Sequence, residues 1–534
     1  MCTLASRITG MLRDMLLLHA FGQSWITDAF NFGFQFPNLF RRLFGEGALA
    51  AVFVPQFTRA LETDGRPAAW QLLARTLALL TIVLTGVVVL GELVLLGVWM
   101  FGAAGADDDS QARRLLLAMT GLMLPFMLSI CVLALFSSVL NCLGSFVPGA
   151  LASIVLNLGM IGGILWLGPL VGGTDPARQV YGVAISVLVS GMVQILVVLP
   201  ALRRTGVPVG WSFQPRDPGV RRILALMGPV LLGQGALLLS TFLDSVICTV
   251  LTRRYNWLGE GFPYPLPEGS FTAITTAARL YQFPLGVLVI SLATAALPAF
   301  SRMAVKKDWL GWTGEVRFML RMAVFEGLLA GAMMIVLAEP IIRLLFEYRN
   351  FNAADTSRAA HVLAWYGVGM WAFCAQHIVQ RGFFSIGDVR TPLRITLLTI
   401  PVNLAVSLSL IWFEGVREAA FAIASSVSSS FGVVLGLVYL RRRVDAPLFT
   451  RDLLGGLVRM LAAAAASAGI VLAVRGWSGE GLAGLPVGMI GRRAVDTLGF
   501  LAAGIVVYML IATLIGLGEA RLLLRLRKPI RASG

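Results

Sequence analysis

The 534-residue chain has few charged residues, cysteines and histidines, and each shortage excludes a class of protein. Only 13% of its residues are charged, whereas 57% are hydrophobic. Its five cysteines and three histidines show no ligand spacing, so neither a disulfide framework nor a metal site is predicted. The sequence contains no GxxxxGK(S/T) phosphate loop, HExxH zinc motif or GxSxG nucleophile motif. We therefore expect neither an enzyme nor a resident cofactor.

Long apolar runs dominate the sequence. Many run for twenty or more residues, which is enough to cross a hydrocarbon core roughly 30 Å thick. The pattern predicts an all-α polytopic membrane protein with about fourteen transmembrane helices, the second of them interrupted at Pro37 and at 45–47. The predicted spans lie near residues 3–21, 25–62, 70–101, 113–140, 147–170, 178–202, 221–252, 269–300, 317–346, 356–386, 389–413, 416–440, 452–475 and 494–518.

The net charge of +15 comes mainly from short basic segments between the apolar runs. Four such segments fall on one face by the helix count: 203–222, 302–321, 441–451 and 521–531. The opposite face holds the acidic run 107–109 and the Pro/Gly-rich loop 255–269. Because Lys and Arg accumulate on the cytoplasmic side, we expect both termini in the cytoplasm. The amphipathic basic tail 521–528 is typical of an anchor on anionic lipid.

An internal repeat runs through the chain. Four features of the first half recur between 243 and 247 residues later: Phe36-Pro37 as Phe283-Pro284, Pro55 as Pro298, Pro148 as Pro392, and Asn157 as Asn403. The repeat predicts two six-helix lobes, 1–210 and 221–445. It leaves two additional helices, 452–518, and a basic tail, 519–534. A duplicated bundle with a site between its halves is the usual plan of a secondary transporter.

Charged side chains lie where the membrane should be, mostly in the first two helices. Such residues are functional-site candidates because burying them in lipid is costly. Arginine suits a phosphate, since its planar guanidinium donates two parallel hydrogen bonds and keeps its charge. Arginines from several helices that face one cavity would form a pyrophosphate-sized anion site. The charged candidates are Arg7, Arg13, Asp14, Asp28, Arg41, Arg42, Glu46 and Arg279.

Structural roles are the alternative for these residues. Arg13 could pair with Asp14, Asp28 or Glu46, and Arg41 and Arg42 could extend their long stems to the membrane surface. Asp244, with Asn403, is a candidate for binding a coupling Na+ or H+, although structural hydrogen bonding would explain both residues equally well.

Several ordered motifs resemble the MurJ/MviN family of bacterial lipid II flippases. The first three are 6–14 (SRITGMLRD), 27–30 (TDAF) and 36–48 (FPNLFRRLFGEGA). The later ones are 278–286 (ARLYQFPLG), 380–384 (QRGFF) and 387–392 (GDVRTP). These motifs extend over nearly the whole chain in the family's order, which makes the set far more specific than any single piece.

The resemblance implies a fourteen-helix member of the multidrug/oligosaccharidyl-lipid/polysaccharide exporter superfamily. Family members move undecaprenyl-pyrophosphate-linked disaccharide-pentapeptide to the outer leaflet for peptidoglycan synthesis. It also implies that the essential cavity arginines, which would hold the pyrophosphate, fall on Arg7, Arg13, Arg41 and Arg279. The supporting positions are Asp28, Arg42 and Glu46, with Asp14 beside Arg13. The last two helices are then expected to form a groove for the lipid tail. Some members have a sodium site at positions resembling Asp244 and Asn403. That site also uses a carboxylate one turn after the asparagine, and this chain has Ser407 at that position.

Three other functions are weighed against a flippase. A cation-coupled drug exporter of the same superfamily would need a cavity dominated by carboxylates or aromatic side chains, which the arginines disfavour. A non-transporting scaffold for cell-wall enzymes predicts dispensable arginines and an indispensable loop 302–321. A polyprenyl-phosphate transferase would need catalytic acids near a membrane face, and none stands out.

Overall fold

The computed structural model describes residues 2–102, 108–208, 210–214, 216–444, 447–448, 450–478 and 489–525, which are almost entirely helical. The α-helices are α1 Cys2–Phe21, α2 Trp25–Phe40, α3 Leu49–Arg59, α4 Gly65–Gly102, α5 Asp108–Met123, α6 Phe126–Cys142, α7 Val147–Gly162, α8 Gly168–Gly172, α9 Pro176–Arg204, α10 Pro218–Val250, α11 Ser270–Pro284, α12 Ile290–Val305, α13 Trp309–Phe346, α14 Ala353–Ser385, α15 Arg390–Leu410, α16 Ala419–Arg443, α17 Arg451–Ser478, α18 Met489–Leu514 and α19 Gly518–Arg525.

The predicted all-α polytopic fold is confirmed. Each of the fourteen predicted spans coincides with one described helix or with consecutive helices. Ten helices in the described part of the chain are long and apolar enough to cross a membrane. Their outward faces carry many exposed Leu, Val and Ile side chains, as expected where lipid replaces water as the solvent.

Polar residues begin several of these helices. Asp175, Asp217 and Asp308 each accept a hydrogen bond from a backbone N–H in the first turn of α9, α10 and α13. Asn352 forms a reciprocal capping box with Asp355 at the start of α14. These side chains satisfy N–H groups that have no partner inside the helix, and so they set where each apolar run becomes helical.

The second span was predicted to be interrupted at Pro37 and at 45–47, but the helix is distorted there and not broken. Pro37 lies inside α2, and the chain then continues as a π-helical stretch, Arg41–Ala48, into α3. The wider π-helical turns absorb the distortion without breaking the helix. The repeat-related Pro284 ends α11 and is likewise followed by a π-helical stretch, Leu285–Val289.

The described chain divides into two compact units, each considered on its own below. Unit 1 comprises Met1–Thr272 with Tyr348–Phe351, and unit 2 comprises Ala273–Glu347 with Asn352–Gly534. The predicted lobes 1–210 and 221–445 stay a prediction, and α10 falls in unit 1. An aromatic core fills unit 1, where Phe30, Phe53 and Phe57 are fully buried together with Phe126.

In unit 2, the two additional helices pack on α13. Tyr508 Oη in α18 donates to the Phe325 carbonyl at 3.1 Å, and Ser467 Oγ in α17 donates to the Gly504 carbonyl at 2.9 Å. Ala463 and Ala464 are buried beside Ser467. The small-residue segment 461–469 therefore brings α17 and α18 into close contact. The tail beyond Arg525 lies outside the described residues.

Candidate substrate and cation sites

Arg13 is held by side chains of two helices, α1 and α7. Its Nε donates to Asp14 Oδ1 at 2.8 Å, and its Nη1 donates to Asn157 Oδ1 in α7 at 3.0 Å. The Asn157 amide in turn donates to the Ser6 carbonyl at 3.0 Å and to Thr9 Oγ1 at 3.1 Å. Because Asn157 holds both the guanidinium and the α1 backbone, it fixes Arg13 within unit 1.

The remaining first-half arginines differ in exposure. Arg7 is exposed near the start of α1, whereas Arg41 and Arg42 are half-buried at the start of the π-helical stretch. Arg41 donates from Nε and Nη2 to Asn38 Oδ1 at 3.1 and 3.0 Å, respectively. The backbone of Glu46 belongs to the same stretch, but its side chain lies outside the described residues.

Asp28 is a buried carboxylate in α2, with only 2% of its surface exposed. Its Oδ2 accepts from the Gly269 N–H at 2.8 Å, and its Oδ1 accepts from both the N–H and the hydroxyl of Thr272, at 2.7 and 2.6 Å. A carboxylate at the N-terminus of α11 also meets the positive end of the helix dipole. We call this arrangement the Asp28 latch.

A tyrosine holds the segment just before the latch. Tyr255 is buried in the α10–α11 connection, and its hydroxyl donates to the Trp25 carbonyl at 3.0 Å. Burial, together with the nearby Asp28 carboxylate, raises the pKa of the Tyr255 phenol well above its ordinary value. The phenol therefore stays protonated and keeps donating.

In unit 2, Arg279 is half-buried on α11, two residues before an aromatic cluster. The Tyr281 ring lies 4.6 Å from that of Tyr366 and 5.0 Å from that of Phe373, measured between centroids. Arg279 belongs to unit 2, whereas Arg7, Arg13 and Arg41 belong to unit 1. The convergence of the four on one anion stays a prediction.

The two cation-site candidates share an unusual feature. Among the described residues, Asp244 Oδ1 and Asn403 Oδ1 are each buried with no hydrogen-bond partner. Asp244 belongs to unit 1 and Asn403 to unit 2. Ser407, one turn after Asn403, is fully buried, and its hydroxyl donates to the Leu404 carbonyl at 3.2 Å. Within the described ranges, no group of three or more His, Cys, Asp or Glu residues could hold a metal ion.

The pairing of Arg13 with Asp14, one of the structural alternatives, is present in the structure, but sequence reasoning missed the other partners of the key charges. The sequence indicates Asn157 only as a repeated residue. Its position as a lone amide in an apolar helix was the signal that could have pointed to a buried polar partner. Gly269 and Thr272 gave no signal as partners of Asp28, because two of the three bonds go to backbone N–H groups.

Comparisons with known proteins give a consistent result. A family model described as lipid II flippase MurJ matches residues 17–484. A probable lipid II flippase MurJ of Rhizobium tropici is 32% identical over 537 residues, covering 99% of this chain and 96% of that protein.

Two solved structures support the fold. A lipid II flippase MurJ in an inward closed conformation has a TM-score of 0.74 at 19% identity, over 98% of this chain and 99% of that one. An inward-facing multidrug resistance MATE family transporter of the MOP superfamily has a TM-score of 0.67 at 15% identity, over 82% and 94%. The chain therefore belongs to the lipid II flippase MurJ family, which consists of transporters and not catalysts, and it is a multi-pass protein of the bacterial inner membrane.

Proposed function

We propose that this protein moves lipid II, the undecaprenyl-pyrophosphate-linked disaccharide-pentapeptide, from the inner to the outer leaflet for peptidoglycan synthesis. The observation that carries this proposal is the match to lipid II flippases along almost the entire chain. The proposal also includes cytoplasmic termini, which the basic segments favour, and an α10–α11 connection that faces outward.

In this proposal the pyrophosphate is held by Arg7, Arg13, Arg41 and Arg279. The geometry of Arg13 supports a binding role, because a guanidinium already fixed by Asp14 and Asn157 loses little conformational entropy when it meets an anion. The polyprenyl chain stays in lipid along α17 and α18.

Alternating access supplies the movement between the leaflets. The Asp28 latch fits an outer gate, because three hydrogen bonds tie α2 to the start of α11, and Arg279 lies further along the same helix. Breaking the latch would free α11 at its outer end. An inside-negative potential favours outward transfer of negative charge by about 2.3 kcal/mol per charge and 100 mV, so ATP is not required.

Coupling to Na+ or H+ is a further part of the proposal. The buried oxygens of Asp244 and Asn403 that lack partners support it, because a cation or a proton would satisfy such groups.

The test uses cells depleted of this protein and rescued by wild type, Arg41→Ala or Arg279→Ala. A precursor-cleaving enzyme added outside reports whether lipid II reaches the outer leaflet. We expect protected precursor to accumulate on depletion, wild type to restore cleavage, and the arginine variants to fail at equal expression.

Arg178→Ala is the matched control, because this arginine is 77% exposed and lies outside the predicted site. If the precursor stays accessible after depletion in cells without a second flippase, the transport proposal is wrong. If transport survives substitution of all four arginines, the anion site is wrong.

A further inference from the structure

A cleft of about 730 Å³ lies between the start of α5 and the α10–α11 connection, entirely within unit 1. Arg253, Arg254, Asp109, Glu260 and Glu268 line it with both signs of charge. Phe262 and Tyr264 provide an aromatic wall, with ring centroids 5.0 Å apart. The volume is typical of a site for a small ligand or a short peptide.

The walls of this cleft are held in place by the protein itself. Arg113 donates to the carbonyls of Tyr255 and Asn256 at 3.2 and 3.0 Å. The Asn256 amide donates to Asp109 Oδ2 at 2.9 Å, which joins the connection to α5. The Leu258 N–H donates at 2.5 Å to the hydroxyl of Tyr264, which lines the cleft. A connection that makes this many internal bonds presents a preformed surface, which lowers the entropic cost of binding.

The charges of the cleft select the class of ligand. The Arg254 guanidinium lies 3.9 Å from Asp109 Oδ1 and 5.2 Å from the centre of the Trp25 ring. It therefore already interacts with a carboxylate and an aromatic ring of the protein. Arg253 and Glu260 are exposed, and in the described structure neither side chain makes a hydrogen bond or an ion pair. A ligand with only negative charges would be repelled by the three carboxylates of the cleft. A ligand with only positive charges would be repelled by its two guanidinium groups. A ligand with both an acid and an amine satisfies both groups.

We propose that this cleft binds a short peptide that carries both carboxylate and amine groups. The carboxylate pairs with Arg253, the amine pairs with Glu260, and the peptide backbone lies against Phe262 and Tyr264. The identity of the natural ligand rests on the proposed function: it is the peptide part of the lipid II headgroup after it has reached the outer face.

The cleft and the Asp28 latch share one segment of chain. Pro267 and Glu268 line the cleft, and the next residue, Gly269, donates its N–H to Asp28. Gly269 has a φ of +78°, and a Cβ there would lie 2.3 Å from the Gln23 carbonyl, so this segment has little freedom to adjust. Peptide binding in the cleft therefore takes place beside the segment that closes the latch.

The test is a calorimetric titration of the purified full-length protein in lipid nanodiscs. The probe is a synthetic pentapeptide with one acidic side chain, one lysine and a free C-terminal carboxylate. We expect saturable binding that weakens roughly tenfold in Arg253→Gln and in Glu260→Gln, the loss typical of one charge-assisted hydrogen bond. A C-terminally amidated peptide binds more weakly, and Arg253→Gln weakens it no further.

Arg178→Gln and Glu414→Gln are matched controls, because both residues are exposed outside the cleft. Unchanged melting temperatures show that the variants are folded. The proposal is overturned if the pentapeptide does not bind wild type, if the cleft variants bind like the controls, or if N,N′-diacetylchitobiose binds in its place.

The two proposals fail separately. If wild type restores lipid II accessibility in depleted cells but binds no pentapeptide, the cleft proposal alone is wrong. If the pentapeptide binds through Arg253 and Glu260 but wild type does not restore accessibility, the ligand class stands and the flippase function is wrong.

Discussion

Asn157 and Asn403 hold matching positions of the sequence repeat, yet their surroundings differ. In unit 1, the Asn157 side chain accepts from Arg13 and donates to two groups of α1. In unit 2, Asn403 Oδ1 is buried and has no hydrogen-bond partner in the described structure. The asparagine of the first half therefore holds an arginine in place, whereas the asparagine of the second half has an acceptor that is still available. Repetition of a sequence mark does not imply repetition of its chemistry.

The largest expected effect is the difference in stability loss between two equivalent substitutions, Asn157→Leu and Asn403→Leu. The first removes three hydrogen bonds and leaves the guanidinium of Arg13 less well paired, which should cost about 2–4 kcal/mol of stability. The second removes an acceptor that has no partner and should cost less than about 1 kcal/mol. Apparent melting temperatures of the two purified variants measure the difference, and equal losses would contradict the comparison.

A second prediction concerns Ser407, one turn from Asn403 and therefore on the same helix face. Ser407→Asp adds a buried carboxylate beside a buried acceptor, so the variant should be destabilised without Na+ and stabilised by a few degrees when Na+ is added. Ser407→Asn is the uncharged control, and K+ at equal concentration controls for ionic strength. A Na+ response no larger than in Ser407→Asn would show that this end of unit 2 does not gather cation ligands.

The smallest expected effect comes from Arg13→Lys. Lysine keeps the positive charge beside Asp14, but its ammonium lacks the planar geometry that reaches Asp14 and Asn157 together. We expect a loss of about 1 kcal/mol, smaller than for Asn157→Leu, and combining the two substitutions should give less than the sum. Melting temperatures of the single and double variants test this, and full additivity would mean that Arg13 and Asn157 act independently.

Most of the fold could be predicted from the sequence, because apolar length decides which segments cross a membrane. Breaks within a span were harder to see. The span predicted near 113–140 consists of α5 and α6, separated at Leu124 and Pro125. At Pro37 the sequence suggested an interruption, whereas the chain widens into π-helical turns. Hydropathy carries no information on whether a proline breaks a helix or distorts it.

The candidate site could be predicted only in part. Charge at membrane depth placed Arg13 and Asp28 among the candidates, since few residues there are ionisable. Asp14 could be predicted as a partner of Arg13 because the two are adjacent, but the distant partners could not be found, because Asn157 is 144 positions from Arg13 and Thr272 is 244 positions from Asp28. Contacts at such separations depend on how helices pack. The cleft between α5 and the α10–α11 connection was also missed, because its residues form a site only when the fold places α5 beside that connection.

The Asp28 latch has a consequence for evolution. Two of its three hydrogen bonds are donated by main-chain N–H groups, of Gly269 and Thr272. Every residue except proline supplies such a donor, so most substitutions at position 272 leave it in place. Position 269 is less free, because its backbone conformation favours glycine. Related chains can therefore diversify much of the α10–α11 connection, including the residues that line the cleft, while selection on the Asp28 latch falls mainly on one aspartate and one glycine.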